Sequence, residues 1–318
     1  MTKPRVAVIG AGSFGRHHLR ILSKSENAQL AGVVDSNADR AAAAGAEYSC
    51  PVFATPAELA GKIDAAVVAV PTSAHAEVGC ALLEKGIDVL VEKPIAHDLA
   101  SAERLVETAA RRGRILQVGH LERFNPAVAA LKTMVRLPLF FEIHRLSLFS
   151  PRSLDVDVVL DLMIHDLDIV LDLVGKMPEE IRAAGISILS DKVDIANVRL
   201  AFPGGCVANL TASRVSTERV RKLRLFQPHQ YVSLDYQKQD AVVFTVSGNQ
   251  QIGFQPLSVA KDEPLRLEIE AFVDAVRNRR RPPGSGEEGL RALEIALAIL
   301  GKIEEHAKVV AQQIQSLP

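Results

Sequence analysis

Hydrophobic positions in the first 120 residues fall into short apolar runs separated by amphipathic stretches. The runs have the length of strands, and the stretches between them have helical periodicity. Predicted strands cover 5–9, 30–34, 65–70, 88–91 and 115–118, and predicted helices cover 16–24, 76–85 and 101–112. Because strands that alternate with helices are typical of parallel sheets, residues 1–122 are predicted to form an α/β domain with a doubly wound parallel sheet.

From residue 123 onward the pattern changes to strand-like alternation. Predicted strands cover 140–148, 181–190, 196–202, 206–213, 222–226, 231–235 and 241–246. Pro203-Gly204-Gly205 predicts a hairpin, and amphipathic runs at 265–279 and 289–310 predict closing helices that pack back on the first domain. Residues 123–318 should therefore form an α+β domain with an open, largely antiparallel sheet, whose free apolar face is expected to build a homodimer or homotetramer.

One segment, 157–172 (DVVLDLMIHDLDIVLD), predicts a helix that is apolar on both flanks of a single polar stripe. The stripe consists of Asp157, Asp161, His165, Asp168 and Asp172. Asp161 lies one turn before His165, and a carboxylate beside an imidazole is the pairing that proton transfer needs. The alternative is a solvated acidic face with an incidental histidine.

Composition narrows the possible partners. The chain carries 37 basic and 38 acidic side chains, a balance that argues against nucleic acid or an anionic membrane surface. No apolar run approaches the roughly 20 residues of a membrane helix, and the first residues lack the order of a signal peptide. Cys50, Cys80 and Cys206 are scattered and predict neither disulfides nor a metal site. We expect a cytoplasmic protein without a metal.

A glycine-rich turn, 10–15 (GAGSFG), follows the first predicted strand and precedes a helix. Asp35 ends the second strand 20 residues later, where the Rossmann fold places the acid that binds ribose hydroxyls. The cofactor is expected to contact Gly10, Gly12, Ser13, Phe14, Gly15 and Asp35. A carboxylate repels a 2′-phosphate, so NAD is predicted over NADP, although Arg40 lies near enough to matter. A tight turn without a cofactor is the alternative.

Several further segments fall at predicted strand ends, where doubly wound sheets bind ligands. They add Pro71, Thr72, His75, Glu92, Lys93 and Arg123 to the expected cofactor contacts. Lys93 directly precedes Pro94, so the chain turns there. Its ammonium could hold a substrate hydroxyl and favour the alkoxide as hydride leaves. An ordinary surface lysine is the alternative.

These motifs together resemble one family. The glycine-rich turn, Asp35, the tripeptide Glu92-Lys93-Pro94 and the pair Asp161-x-x-x-His165 resemble the glucose-fructose oxidoreductase, inositol dehydrogenase and rhizopine-catabolism (Gfo/Idh/MocA) family. The resemblance implies a Rossmann domain, a second domain whose open mixed sheet often mediates oligomers, and a lysyl-prolyl bond that is often cis. It implies nicotinamide-dependent chemistry on a sugar or polyol carbon, with the lysine and histidine as the catalytic pair.

Within the family, 119–126 (GHLERFNP), 144–147 (HRLS) and 208–216 (ANLTASRVS) resemble a bacterial subgroup. Its members oxidise the C3 hydroxyl of the nucleotide-sugar UDP-N-acetylglucosamine, on the way to amide-linked lipid A. The resemblance implies His165 as general base, Asp161 as orienting residue and Lys93 as charge stabiliser, and leaves open which of Lys93 and His165 takes the proton. The substrate is expected to contact Lys93, Arg123, His144, Arg145, Asp161, His165 and Arg214.

Alternatives remain at each level. An arginine on such strands is often solvated or paired with an acid instead of a pyrophosphate. The enzyme could act with NAD(P) on another sugar or polyol such as inositol. The chain could also be a non-catalytic NAD-binding sensor, which the intact residues Lys93, Asp161 and His165 argue against.

Overall fold

The computed structural model describes residues 2–149, 156–248 and 251–315. The chain divides into two compact units. The first unit runs to Leu121 and also contains Glu263–Leu293, and the second contains Glu122–Asp262 and the chain from Glu294 onward. No helix in the described ranges is both long and apolar enough to cross a membrane.

The strands and helices follow in chain order. The strands are β1 (Arg5–Ile9), β2 (Gln29–Val34), β3 (Val52–Phe53), β4 (Ala65–Val68), β5 (Asp88–Glu92), β6 (Leu116–Gly119), β7 (Phe140–Leu148), β8 (Glu180–Ile186), β9 (Ile195–Ala201), β10 (Val207–Ser216), β11 (Val220–Gln227), β12 (Gln230–Asp235), β13 (Asp240–Val246) and β14 (Ile252–Leu257). The helices are α1 (Ser13–Ser23), α2 (Ala38–Tyr48), α3 (His75–Glu84), α4 (Leu99–Arg112), α5 (Pro126–Lys132), α6 (Ile164–Val174), α7 (Pro264–Asn278) and α8 (Gly286–Gln315).

The first unit is built on a six-stranded sheet in the order β3-β2-β1-β4-β5-β6. Every pair of neighbouring strands is parallel, which confirms the predicted doubly wound sheet. Helix α7 completes the core of this unit, because its residues Leu265, Ile269 and Phe272 recur at helical spacing and pack in one cluster with Leu19 and Leu22 of α1.

The second unit is built on an eight-stranded sheet in the order β14-β13-β12-β11-β7-β10-β9-β8. Among the strands that the described residues form, only β7 and β10 pair in parallel, so the predicted open and largely antiparallel sheet is confirmed. Side chains alternate along β7, where Phe141, Ile143 and Arg145 are buried while Glu142 and His144 lie on the other face.

That other face, which we call the open face, carries a row of aromatic rings across five strands. The row consists of Phe140, Phe226, Tyr231, Phe244 and Phe254. Neighbouring ring centroids are 4.7 to 5.8 Å apart. Phe254 is 63% exposed and Ile252, also on β14, is 72% exposed.

Segment 157–172 departs from the predicted single helix. It begins with a π-helical turn over Val159–Met163, and α6 follows. A π turn takes an extra residue, which rotates the residues after it relative to those before it. Asp157 lies ahead of the helix and accepts a hydrogen bond from the Val193 amide at 2.9 Å. The predicted helical stripe is therefore wrong at Asp157, which precedes the helix.

Four elements were not predicted: α2, β3, α5 and β14. The strand predicted over 181–190 ends early, at Ile186. Its continuation bends because Asp194 Oδ2 accepts hydrogen bonds from the amides of Ile188 and Leu189 at 2.7 and 2.6 Å. A carboxylate that binds successive amides holds a turn and excludes a strand there.

Candidate active site

The glycine-rich turn leaves no room for side chains at two of its glycines. Gly10 has a φ of +97°, and a Cβ atom on it would lie 2.4 Å from the carbonyl oxygen of Ala69. A Cβ on Gly15 would lie 1.8 Å from the carbonyl oxygen of Gly10. A Cβ on Gly12 would meet no atom within 4 Å, so this glycine faces open space at the start of α1. Backbone amides at a helix start attract an anionic group.

Asp35 directly follows β2, and both of its carboxylate oxygens accept hydrogen bonds. Oδ2 accepts a hydrogen bond from the Ala11 amide at 2.7 Å, and Oδ1 accepts one from the Asn37 amide at 2.8 Å. Arg40 donates to both oxygens at 3.0 Å. Desolvation by burial acts to raise the pKa of Asp35, but the hydrogen bonds from Arg40 and the two amides outweigh it and lower the pKa. Asp35 is therefore a carboxylate at neutral pH.

A cavity of about 560 Å³ runs along these residues. Its lining includes Gly10, Gly12, Asp35, Arg40, Pro71 and Ala74. The glycine turn lies at one part of its wall and the Asp35 carboxylate at another, so the cavity offers one place for a phosphate and another for ribose hydroxyls. Phe14 and Ser13 are exposed at the start of α1.

Lys93 follows β5 and is joined to Pro94 by a cis peptide bond, as the resemblance implied. His75 holds this turn to the end of β4. Its Nδ1 lies 3.0 Å from the carbonyl oxygen of Pro94, and its Nε2 lies 3.0 Å from that of Val70. Burial lowers the pKa of His75, although both carbonyl contacts oppose the shift. His75 is buried and Thr72 is half-buried, and whether either contacts the cofactor stays a prediction.

Glu92 lies directly before Lys93 and is buried. Its Oε1 is 2.6 Å from Nε2 of His18, which is fully buried on α1. Its Oε2 accepts a hydrogen bond from the Lys93 amide at 3.3 Å. His18 was not predicted from the sequence, because it is one of two adjacent histidines, His17 and His18, and neither belongs to a periodic pattern.

In the second unit, Asp161 lies on the π turn and His165 in the first turn of α6, and both are half-buried. The later aspartates of the acidic stripe form ion pairs with basic side chains. Arg123 donates to Asp168 at 2.6 and 2.9 Å, and Lys132 donates to Asp172 at 2.7 and 2.8 Å. The predicted proton-transfer pair thus lies at the start of the helix, and ion pairs occupy the following turns.

The arginines expected to bind substrate have internal partners. Arg145 is 1% exposed and donates to Asp166 at 2.7 and 2.8 Å and to Glu122 at 2.9 Å. Arg214 is buried and donates to the carbonyl oxygens of Val156 and Val193. These contacts, like those of Arg123, indicate structural roles. They do not test the predicted substrate contacts.

His144 and Arg145 are neighbours on β7 and point to opposite faces of the sheet. His144 lies on the open face, with Nε2 4.0 Å from Glu142. One ligand bound to one face of the sheet would therefore meet only one of these two side chains. Their joint assignment to the substrate is the least favoured part of the predicted site.

Comparisons with known proteins identify the family of this chain. The family model described as "Oxidoreductase family, NAD-binding Rossmann fold" matches residues 4–120, and the GFO/IDH/MocA C-terminal domain matches residues 145–227. This chain belongs to the Gfo/Idh/MocA family. The assignment confirms the predicted family, the enzyme class of oxidoreductase and NAD as the cofactor.

Two relatives from this family align over nearly their whole length. UDP-N-acetylglucosamine 3-dehydrogenase of Acidithiobacillus ferrooxidans is 37% identical, with 96% of this chain and 98% of that protein covered. A solved structure of that enzyme has a TM-score of 0.91 and covers 96% of this chain and 99% of its own. Myo-inositol 2-dehydrogenase of Thermotoga maritima is 28% identical, with 98% and 99% covered.

The residues of this Gfo/Idh/MocA chain fit a dinucleotide. Gly12 leaves open the space that a Cβ atom would fill, and α1 presents its first amides beside it. The Asp35 carboxylate lines the same cavity, at the strand end where the Rossmann fold binds ribose hydroxyls. The cofactor supplies a hydride acceptor or donor, and the protein supplies its binding and orientation.

Proposed function

We propose that this chain oxidises the C3 hydroxyl of UDP-N-acetylglucosamine to the 3-keto sugar with NAD as hydride acceptor. The observation that carries the proposal is 37% identity to an enzyme of that name over nearly the full length of both chains. The 3-keto sugar would be a precursor of the amino sugar in lipid A. Three free cysteines, Cys50, Cys80 and Cys206, are typical of a reducing compartment and support a cytoplasmic location.

In the proposed reaction, the hydroxyl proton passes to a protein base, and the carbon that bears the hydroxyl would give its hydride to NAD. His165 is the proposed base, because an imidazole titrates near neutrality. Asp161 lies one turn before it and would orient the imidazole or the hydroxyl. Lys93 would stabilise negative charge on the oxygen through its ammonium.

The substrate assay compares two sugars. Purified protein is given NAD with either UDP-N-acetylglucosamine or myo-inositol, and NADH is followed by absorbance. The proposal expects turnover with the nucleotide-sugar and a product lighter by two hydrogen atoms in the mass spectrum. Turnover with myo-inositol alone would favour the second candidate function, a polyol dehydrogenase. The similarity to myo-inositol 2-dehydrogenase over nearly the full length supports that candidate. NAD binding without turnover on any sugar would favour the sensor.

The role of His165 is tested by His165→Ala. Loss of a general base should lower kcat by roughly 10²–10⁴ while the Kd for NAD changes little. His97→Ala is the matched control, since His97 is exposed and its loss should leave kcat unchanged. Unchanged turnover in His165→Ala would remove the proposed base.

We also propose that a second copy of the chain covers the open face, giving a homodimer or homotetramer. The support is the row of aromatic rings, of which Phe226 and Phe254 are exposed, since a contiguous apolar patch of this kind marks an interaction surface. Phe254→Lys should lower the mass measured by light scattering, and Val309→Lys, exposed on α8, should not. A monomeric wild-type protein would contradict this assignment.

A further inference from the structure

Three ionisable side chains meet inside the first unit. They are His18 on α1, Glu92 at the end of β5 and Glu268 on α7. One nitrogen or oxygen atom of each lies within 4.8 Å of those of the other two. His18 and Glu268 are 0% exposed and Glu92 is 8% exposed. Buried groups at such distances cannot take their charges independently of one another.

The hydrogen bonds of His18 indicate a neutral imidazole. Nε2 lies 2.6 Å from Oε1 of Glu92, while Nδ1 is buried and has no hydrogen-bond partner among the described residues. A doubly protonated ring would bury a second N–H donor without an acceptor, which is more costly than an unused lone pair. His18 therefore carries its proton on Nε2 and donates it to Glu92.

With His18 neutral, the two carboxylates cannot both be ionised at low cost. Two buried negative charges this close repel each other, so one of them holds a proton. Glu92 accepts hydrogen bonds from His18 at 2.6 Å and from the Lys93 amide at 3.3 Å. Donors around a carboxylate favour its ionised form. The proton therefore belongs to Glu268.

We propose that Glu268 is a protonated carboxylic acid that, together with neutral His18, positions the ionised carboxylate of Glu92 beside the Lys93–Pro94 turn. The carboxylate has little freedom there, because a Cβ atom on Gly119 of the neighbouring strand would lie 2.9 Å from its Oε2. Glu268 and His18 are positioning residues. They act through Glu92 on the turn that presents Lys93.

Infrared spectroscopy of the NAD-bound protein tests the protonation state without any substrate. Wild-type protein at neutral pH should show the carbonyl stretch of a buried protonated carboxylic acid, which shifts in D₂O. Glu268→Gln should remove this band. Glu270→Gln, two residues away on the exposed side of α7, is the matched control and should keep it.

Three results would overturn the proposal. The wild-type spectrum could lack the acid band, which would mean that both carboxylates are ionised beside a charged histidine. The band could persist in Glu268→Gln, which would place the proton elsewhere. A divalent metal could co-purify with the wild-type protein and be lost from Glu268→Gln, which would make the cluster a metal site.

The kinetic readout rests on the proposed function, whereas the infrared band does not. Glu268→Gln keeps a neutral hydrogen-bonding group and should retain a kcat roughly tenfold or more above that of Glu268→Leu, with the same Kd for NAD in both variants. Equal kcat values in the two variants would contradict the positioning role. An acid band without turnover on UDP-N-acetylglucosamine would contradict the proposed substrate but would still support the protonated state of Glu268.

Discussion

Removing the charge of Arg145 should destabilise the second unit strongly. The guanidinium is 1% exposed and makes three hydrogen bonds of 2.7 to 2.9 Å to Asp166 and Glu122. Arg145→Met keeps much of the volume and leaves two buried carboxylates behind. Arg221, 3.5 Å from Glu122, could compensate only one of them. Breaking a buried ion pair from one side costs about 3–5 kcal/mol.

The expected change in melting temperature follows from that figure. A unit of roughly 150–250 residues shifts by about 2–4 °C for each kcal/mol, so Arg145→Met should lower Tm by roughly 6–20 °C. Desolvation by burial acts to lower the pKa of Arg145, but the charges of Asp166 and Glu122 outweigh it and raise the pKa well above its usual value. The stabilisation by Arg145 is thus fully present below the usual arginine pKa. The loss of Tm in Arg145→Met should therefore be the same from pH 6 to pH 9, since even pH 9 lies roughly 3 units below that pKa.

Thermal unfolding followed by far-UV circular dichroism measures the shift. Lys302→Met is the matched control, because Lys302 lies on α8 in the same unit, away from the open face, and its exposed ammonium pairs with Glu305 at 2.9 Å. An exposed pair contributes about 0–1 kcal/mol. Equal Tm values for the two variants would refute the reasoning. Adding Asp166→Leu to Arg145→Met should recover part of the loss, since it removes one of the stranded charges.

The remaining predictions concern the cofactor site and one turn. Gly12→Ala should keep the wild-type Tm but weaken NAD binding in calorimetry, whereas Gly15→Ala should lower Tm because its Cβ would lie 1.8 Å from a carbonyl oxygen; the reverse pattern would contradict the assignment of the turn. Asp35→Ser releases Arg40 for a 2′-phosphate and should shift the ratio of kcat/KM values toward NADP by roughly tenfold or more; an unchanged ratio would exclude Asp35 as the selecting group. Burial acts to raise the pKa of Asp194, but backbone amides outweigh it and lower the pKa. Its stabilising effect is present above about pH 4 and is lost as pH falls through the lowered pKa. The Tm gap between wild type and Asp194→Asn should therefore narrow in acid, and a gap that widens would contradict this sign.

The elements with a strong local pattern could be predicted from the sequence. The glycine turn and Asp35 follow strands of ordinary length, and the structure places them along one cavity. The strands of the second unit also alternate clearly, as β7 does. In each case the periodicity of the chain and the preference of glycine for tight turns act within a few residues.

The misses arise where the decisive interaction is distant in the chain. Strand β3 has only two residues, and β14 contains Pro256, so neither has a usable pattern. The pairing of Arg145 with Asp166 could not be read from spacing, because burial and partner choice depend on how the sheet meets α6. The same holds for His18 and Glu268, which lie about 250 positions apart in the chain.

The assignment of Glu263–Leu293 to the first unit has a consequence for biosynthesis. The ribosome releases β1 to β6 long before α7, yet Leu265, Ile269 and Phe272 of α7 fill the same core as Leu19. The core of the nascent first unit therefore stays incomplete, with apolar surface uncovered, while Glu122–Asp262 of the second unit is translated. A stalled or truncated product ending near residue 262 should therefore depend on chaperones, and a fragment of residues 1–121 is a poor choice for recombinant expression.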